Sequence, residues 1–410
     1  MVTRRAIRTL HAKLNFLPKI NMEYDPQFAE SGAKIGNILN IRKPPKFYVR
    51  TGTTMSTQDV TETYVPLQVS NTIGVDITFS SSELTLSIED FNARILDKAM
   101  AQLAASLESA VLTAAYKLVP QASGSTASVL NSLRPVLKAK QYMENALAPE
   151  PRTMLLNTDS TVEMVDAHKG LFQSSTGIAD QYTKGVMGVV GGFNFSESTL
   201  LPAHTPGAHG GTPLTDYGTA FVSGTATLVT NGWTNSITGI LKAGDVFTIA
   251  DVYAVHPETK ATLGYLKQFV VLADADSGAS TGPATLSIYP APTFATVTVN
   301  GVVTKTAATN VNALPGNDKA IVVVGTASTP YGVNLGFHKD FLTFATADLV
   351  DVSKYGAWGA REQFDGISMR IGRQWTISDD QFPTRIDVFY GFAVMYPELA
   401  CRVHNLISNS

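Results

Sequence analysis

Ile73, Val75, Ile77 and Phe79 alternate with Gly74, Asp76 and Thr78, a period of two that predicts a strand with one buried face. Upstream, Phe47-Tyr48-Val49 and Val60–Val65 read as strands around a polar tip, Thr51–Asp59. Lys43-Pro44-Pro45 stops any helix before them, because proline lacks a donor and restricts the residue it follows. Residues 42–80 therefore predict a β-hairpin arm too thin to own a core. Ahead of it, residues 1–41 form a basic arm with a short helical repeat at Ile7, Leu10 and Leu14.

The pattern then changes period. Ile88, Phe91, Ile95, Ala99, Leu103, Leu107, Val111 and Leu118 recur three or four apart, with Glu89, Asp97, Lys98, Gln102 and Glu108 off that stripe. This predicts a helix of roughly thirty residues, ~45 Å long at 1.5 Å per residue. Pro120 ends it. Residues 125–220 read as mixed: a helix over Val129–Ala148, a buried strand at Thr153–Leu156 and a helix over Ser160–Leu171 entered through Asp159 or Ser160. From 221 to 328, Val, Thr, Ala and Gly dominate, with recurrent turn pairs such as Asn231-Gly232 and Asn300-Gly301. Short strands at that spacing predict a small barrel or sandwich, inserted because mixed sequence lies on both sides. Near the end, Met369, Ile371, Trp375 and Ile377 fall on odd positions, and Ile386, Val388, Tyr390, Phe392 and Val394 on even ones. They predict an antiparallel pair, joined by Ser378–Thr384, with one face buried. The fold class is α+β.

Composition narrows the function. The 410 residues are 44% hydrophobic and 16% charged, with a net charge of −3, so the whole chain has no electrostatic footprint for condensing nucleic acid. Charge is segregated, however. Arg4, Arg5, Arg8, Lys13, Lys19, Lys34, Arg42, Lys43, Lys46 and Arg50 face only Glu23, Asp25 and Glu30 in the first fifty residues. Such a leader fits pairing with the acidic body of a neighbouring copy better than nucleic acid, since no groove-reading motif accompanies it. Cys401 is the sole cysteine, which excludes a disulfide framework. His11, Lys13 and Asn15 interrupt any apolar signal region, and no segment approaches the ~20 apolar residues that span a bilayer.

Motifs that could carry chemistry have duller readings. Gly278-Ala279-Ser280-Thr281-Gly282 has the spacing of a nucleophile elbow, but it sits between Asp276 and Pro283 in a turn with no helix to follow. Gly185, Gly188, Gly191 and Gly192 lack the Lys-Ser or Lys-Thr of a phosphate loop and read as close backbone packing at a strand entry. His204 and His209 have no third ligand nearby and flank proline and glycine, which suggests an exposed loop. Asp274, Asp276, Asp379 and Asp380 lie in turns, where Asp bonds locally. No catalytic, cofactor-binding or metal-binding residue is expected.

The order of parts resembles the HK97-like fold of tailed-phage capsid proteins. More narrowly, Tyr24-Asp25, Ala33–Asn37, Ile41–Pro44, Ser87–Phe91, Arg385–Gly391 and Glu398–Arg402 are similar to segments of the phage P22 coat protein family. That resemblance implies an N-terminal arm (1–41), an E-loop hairpin (42–80), a P-domain spine helix (81–124), an A-domain (125–220 and 329–366), an inserted β domain (221–328) and P-domain strands (367–410). It implies a major capsid protein of a tailed double-stranded DNA phage, assembling in the host bacterial cytoplasm into hexamers and pentamers of an icosahedral shell. The partners implied are other copies of the chain, a scaffolding protein, a portal protein and packaged DNA held without sequence-specific binding, with no membrane and no cofactor. The E-loop would supply subunit contacts through Lys46, Tyr48, Arg50, Met55, Asp59, Glu62 and Tyr64. The alternatives are an encapsulin-like cellular compartment and a β-rich adhesin or carbohydrate-binding protein.

Overall fold

The computed structural model describes residues 2–22, 38–47, 49, 53, 55, 57–60, 62–80, 95–168, 188–218, 220–299, 302–350, 352–364 and 366–407. In chain order the first half runs α1 (Val2–Lys13), β1 (Ile38–Lys43), β2 (Thr63–Ser80), α2 (Asp97–Tyr116), β3 (Ala122–Gly124), α3 (Arg134–Asn145), β4 (Arg152–Leu156), α4 (Thr158–His168), β5 (Val189–Val190), β6 (Phe193–Glu197) and β7 (Ala203–His204). The next strands are β8 (Gly211–Thr215), β9 (Thr227–Trp233), β10 (Val246–Val255), β11 (Thr262–Val271), β12 (Ala284–Tyr289), β13 (Thr296–Val299), β14 (Val302–Lys305) and β15 (Ile321–Val323). The chain closes with β16 (Tyr331–His338), β17 (Leu342–Ala347), β18 (Trp358–Phe364), β19 (Ile367–Arg373), β20 (Gln381–Val394) and β21 (Ala400–Asn405). These pack as two compact units. One gathers Met1–Lys43, Tyr64–Leu112 and Lys339–Met395, and the other Pro44–Thr63, Thr113–His338 and Tyr396–Ser410.

The first unit is organised on a sheet in the order β1-β2-β20-β19-β18, with β17 also paired to β20. β20 has the alternation expected of a one-faced strand only as far as Tyr390: Ile386, Val388 and Tyr390 are buried, but past the register shift opposite Val69 and Asn71 the pattern inverts, with Gly391 and Ala393 buried and Phe392 and Val394 half-buried. Asp387 breaks the pattern and is also buried, because Arg370 and Arg385 reach it at 2.6 and 2.7 Å and neutralise it. Gly391 is needed where β20 meets β2: a Cβ there would lie 2.1 Å from the Gln68 carbonyl oxygen. The predicted odd-numbered burial holds for Met369 and Ile371 but fails for Trp375 and Ile377, 49% and 82% exposed. β19 ends at Arg373, so those two side chains sit beyond the sheet on the hairpin tip. The predicted repeat Ile7, Leu10 and Leu14 is buried, with Leu14 just past the end of α1 and Ala6 buried beside it, and the His11 ring meets Phe364 of β18 edge-on at 5.3 Å.

Helix α2 departs from expectation in its buried face. Leu103, Leu107 and Val111 are buried as predicted, but Leu96, Met100, Leu112 and Glu108 are buried too, while Ile95 is 36% exposed. The predicted start at Ile88 lies outside the described residues. Glu108, assigned to the polar side by periodicity, turns inward because backbone donors meet it there: Asn15, Phe16 and Leu17 all donate to Oε1, at 2.6, 2.5 and 3.1 Å. Burial pushes its carboxyl pKa up against the opposing pull of those donors.

The second unit contains two larger sheets. In the first, of order β3-β21-β16-β4-β6-β5 with β7 on β16, Cys401 and Val403 of β21 join Val136, Ala139 and Met143 of α3 in one apolar cluster. A buried amide network fixes the strand ends. Asn334 accepts the Asn157 N–H at 2.7 Å and donates to Ser160 Oγ and Val403 O at 2.9 and 3.1 Å. Asn157 in turn caps α4 by accepting the Ser160 N–H at 2.7 Å, so the cap is neither Asp159 nor Ser160 as expected. The glycine-rich stretch forms a tight hairpin: Val190 pairs Phe193, and Gly191 and Gly192 between them have φ of 59° and 83°, conformations only glycine adopts freely.

The second sheet runs β15-β10-β11-β12-β9-β8 around Phe247, Phe269, Trp233, Leu228, Leu286 and Ile288. Phe247 and Phe269 stack with centroids 5.8 Å apart. Its two edges also meet: the Thr215 N–H donates to Lys319 O at 3.0 Å and the Asp318 N–H to Thr215 O at 2.9 Å. This sheet draws β8 from upstream of the expected start at 221. The Asn300-Gly301 signal is flanked by the Val299–Val302 pair of β13 and β14, as its spacing predicts.

Candidate assembly surface

The hairpin arm pairs β1 with β2, and the described residues between them carry no strand. The expected strand at Phe47–Val49 does not form at Phe47 or Val49. Pro44 and Pro45 cannot donate to a ladder, so β1 ends at Lys43, and the loop to β2 has no strand among its described residues.

That loop is apolar where it should be wettest. Phe47 is 55% exposed, Val49 85%, Met55 78% and Val60 64%, and Tyr64 at the start of β2 is 65% exposed. Fully burying one such side chain gains about 1.5–3 kcal/mol. Five of them in one segment far exceed the scattered exposure of an ordinary surface. Of the predicted contact residues, Lys46, Met55, Asp59, Glu62 and Tyr64 are all exposed, whereas Tyr48 and Arg50 lie outside the described residues. Phe47, Val49 and Val60 were missed, although their apolar character within a proline-broken, polar tip was visible in sequence.

Electrostatics mark the loop's base. The Lys260 ammonium donates to Ala307 O and Thr309 O at 2.7 and 3.1 Å, and Lys305 donates to Lys260 O at 3.1 Å. Burial, then the charges of Lys46 and Lys305, push Lys260 down to about 8.

The histidine pair is not an exposed loop. His204 is 3% exposed; its Nε2 lies 2.7 Å from Asp245 Oδ1 and its Nδ1 3.0 Å from the Tyr116 hydroxyl. Asp245 Oδ2 accepts the N–H groups of Gly207 and Lys242 at 3.0 and 2.8 Å. Burial lowers the His204 pKa despite Asp245, and raises that of Tyr116. A carboxylate, an imidazole and a hydroxyl in line resemble a proton relay, but Asp245, His204 and Tyr116 are all buried, so no substrate reaches them. They act as a tie between the turn before β10 and the end of α2. Gly278–Gly282 is a turn, with the Gly278 N–H donating to Pro283 O at 2.8 Å and Ser280 at a φ of 76°. Among the described residues no group of three or more His, Cys, Asp or Glu could hold a metal.

Comparison with known proteins adds an independent finding. A family model described as P22 coat protein, gene protein 5, matches residues 5–402. No curated protein matches the chain. Similar solved structures include one from Mycobacterium phage Che8, at 10% identity and a TM-score of 0.46, covering 95% of this chain and 90% of that one. The asymmetric unit of the bacteriophage PhiM1 mature capsid is similar at 10% identity and a TM-score of 0.44, covering 92% and 85%. The CUS-3 coat protein I-domain matches at 24% identity and a TM-score of 0.19, covering 28% of this chain and 98% of that domain.

Proposed function

Since the chain belongs to the P22 coat protein family and is a phage major capsid protein, built by many copies into a shell, we propose that its β1–β2 loop is the E-loop that binds neighbouring copies. The observation that carries this reading is the exposure of Phe47, Val49, Met55, Val60 and Tyr64 on an arm with no core of its own. A surface of that kind is stabilised when a second copy covers it, and each contact can be modest because closed symmetry repeats it. Lys46, Tyr48, Arg50, Asp59 and Glu62 would supply the polar rim of the same contact.

The finer assignment follows the HK97-like plan of N-arm, E-loop, spine helix, A-domain, inserted barrel and P-domain strands, with three strands moved from the bounds given above. β17 and β18 go from the A-domain return (329–366) to the P-domain because they share a sheet with β19 and β20, and β21 goes from the P-domain stretch (367–410) to the A-domain because it pairs with β16. In this reading the shell is icosahedral, assembles in the host cytoplasm with a scaffolding protein and a portal, encloses double-stranded DNA, and catalyses nothing. A net charge of −3 agrees with DNA that is confined by the shell instead of bound to it.

Electron microscopy of the purified chain, alone and co-expressed with its neighbouring genes, tests the proposal. Closed shells of hexamers and pentamers are expected. Monomers under every condition, or shells whose E-loop variants assemble like the parent, would overturn it.

A further inference from the structure

A recess of about 540 Å³ opens in the second unit between α3 and the loop that leads into it from β3. Its frame is fixed at three points. Gly124 pairs with His404 at the end of β3, so closely that a Cβ there would lie 2.4 Å from His404 O. Ser123 Oγ donates to Pro135 O at 2.9 Å, and the Leu406 N–H donates to Ser128 O at 2.9 Å. The α3 wall consists of Arg134, Leu137, Lys138 and Gln141. Spaced at i, i+3, i+4 and i+7, they share one face of the helix. All four are exposed, Leu137 by 44%. No carboxylate lines the recess, and among the described residues neither Arg134 nor Lys138 pairs with an acid. Lys140, on the next side of the helix, does: it lies 3.6 Å from Glu144.

Water solvates surface cations well, so the two charges alone point to nothing. A second helix of the same unit supplies a surface of matching form. α4 carries Asp159, Glu163 and Asp166 and neither lysine nor arginine. Asp159 is exposed and Glu163 half-buried, and Val162 between them is 68% exposed. Each helix thus presents an apolar side chain between two like charges four residues apart, about 6 Å along the axis. One face is basic and the other acidic. No ion pair joins them within one chain, so the match is open to another copy. We infer that the acidic face of α4 in one copy docks on the α3 recess of another, Arg134 and Lys138 meeting Asp159 and Glu163 around a Leu137–Val162 contact. The charges fix partner and register, and the apolar centre excludes water. The contact rests on the shell reading but not on the E-loop, and it joins unlike faces, as head-to-tail contacts that close into rings do.

Charge exchange tests it. Arg134→Glu with Lys138→Glu, and separately Asp159→Lys with Glu163→Lys, should each melt like the parent. Each pair should slow assembly about tenfold or more, because like charges then face each other. All four changes in one chain should restore assembly, since the exchanged faces match again. A second test does not need those variants to fold. Leu137→Cys chains mixed with Val162→Cys chains should form disulfide-linked pairs in oxidised particles, with native Cys401 buried and silent. Assembly indifferent to reversal on either helix, no rescue by the fourfold exchange, or no mixed disulfide in assembled particles would overturn the inference. An effect of the α3 reversal alone would do so too, since it would mean an acidic partner other than α4. Any of these results with a parent that forms shells leaves the E-loop reading standing, whereas a parent that never assembles overturns both.

Discussion

Glu108 Oε1 accepts the backbone N–H of Phe16 at 2.5 Å, across 92 positions of chain. With Asn15 and Leu17 donating to the same oxygen, the carboxylate fills a small nest of amides and fastens the segment after α1 to α2. Replacing Glu108 with Ala should leave these donors without their acceptor, at about 1–3 kcal/mol for each one that stays dry. Urea denaturation should show the loss, and limited proteolysis should cut near residues 13–20 first. Equal protease resistance in parent and variant would argue against the lock.

The same carboxyl sets a pH signature. Its pKa is raised in the folded state above the ordinary 4.5, so the folded protein holds this proton more tightly than the unfolded one. Its stabilising share is present at low pH and is lost as pH rises through the folded value. Relative to Glu108→Gln, the parent should therefore gain stability as pH falls through that window. Parallel stability-versus-pH curves would contradict the assignment.

Three histidines act with the opposite sign. Burial lowers His204, His209 and His404 below 6.5. Below that pH the unfolded chain takes up protons that the folded chain refuses, so stability falls as the solution is acidified. His404→Gln should flatten the slope of melting temperature against pH between 7 and 5.5. A slope as steep as the parent's would show that His404 is not among its sources.

Val49→Asp and Met55→Asp test the loop. Both side chains are more than three-quarters exposed, so subunit stability should change by no more than about 0.5 kcal/mol. Shell formation, followed by light scattering and electron microscopy, should fail or slow strongly. Normal shells from the double variant would rule out the loop as an essential contact.

The β8–β15 sheet predicts a boundary. A fragment covering 208–328 keeps β8 and its bonds to Lys319 and should unfold cooperatively in urea, whereas 221–328 lacks them and should be markedly less stable. Equal midpoints would show that β8 adds nothing.

Much of this fold was legible because local rules decided it. The buried strand expected at Thr153–Leu156 is β4, whereas Gly191-Gly192, read as close packing at a strand entry, supplies the two positive-φ residues of the turn between β5 and β6. The even-numbered run of β20 likewise names its buried face as far as Tyr390, before the register shift against β2 inverts it at Phe392 and Val394. What periodicity could not reveal were positions whose neighbours come from far along the chain. Glu108 has an ordinary polar place on a helical wheel and is buried only because residues 15–17 fold over it. His204 sits between proline and glycine like any loop residue until Asp245 and Tyr116 enclose it. Trp375 and Ile377 continue an alternation that the sheet does not continue. At the assembly surface, proline and polar tip marked the loop, but the exposure of Phe47, Val49 and Val60 required the structure.

β21, residues 400–405, lies between β3 and β16 in its sheet, and each unit is stitched from three separated stretches of chain. During synthesis the second unit must wait with an open sheet, its apolar face and two strand edges unpaired, until residue 405 has emerged. This coat subunit should thus be slow to mature and, while waiting, as inclined to aggregate with its siblings as it is later to assemble with them.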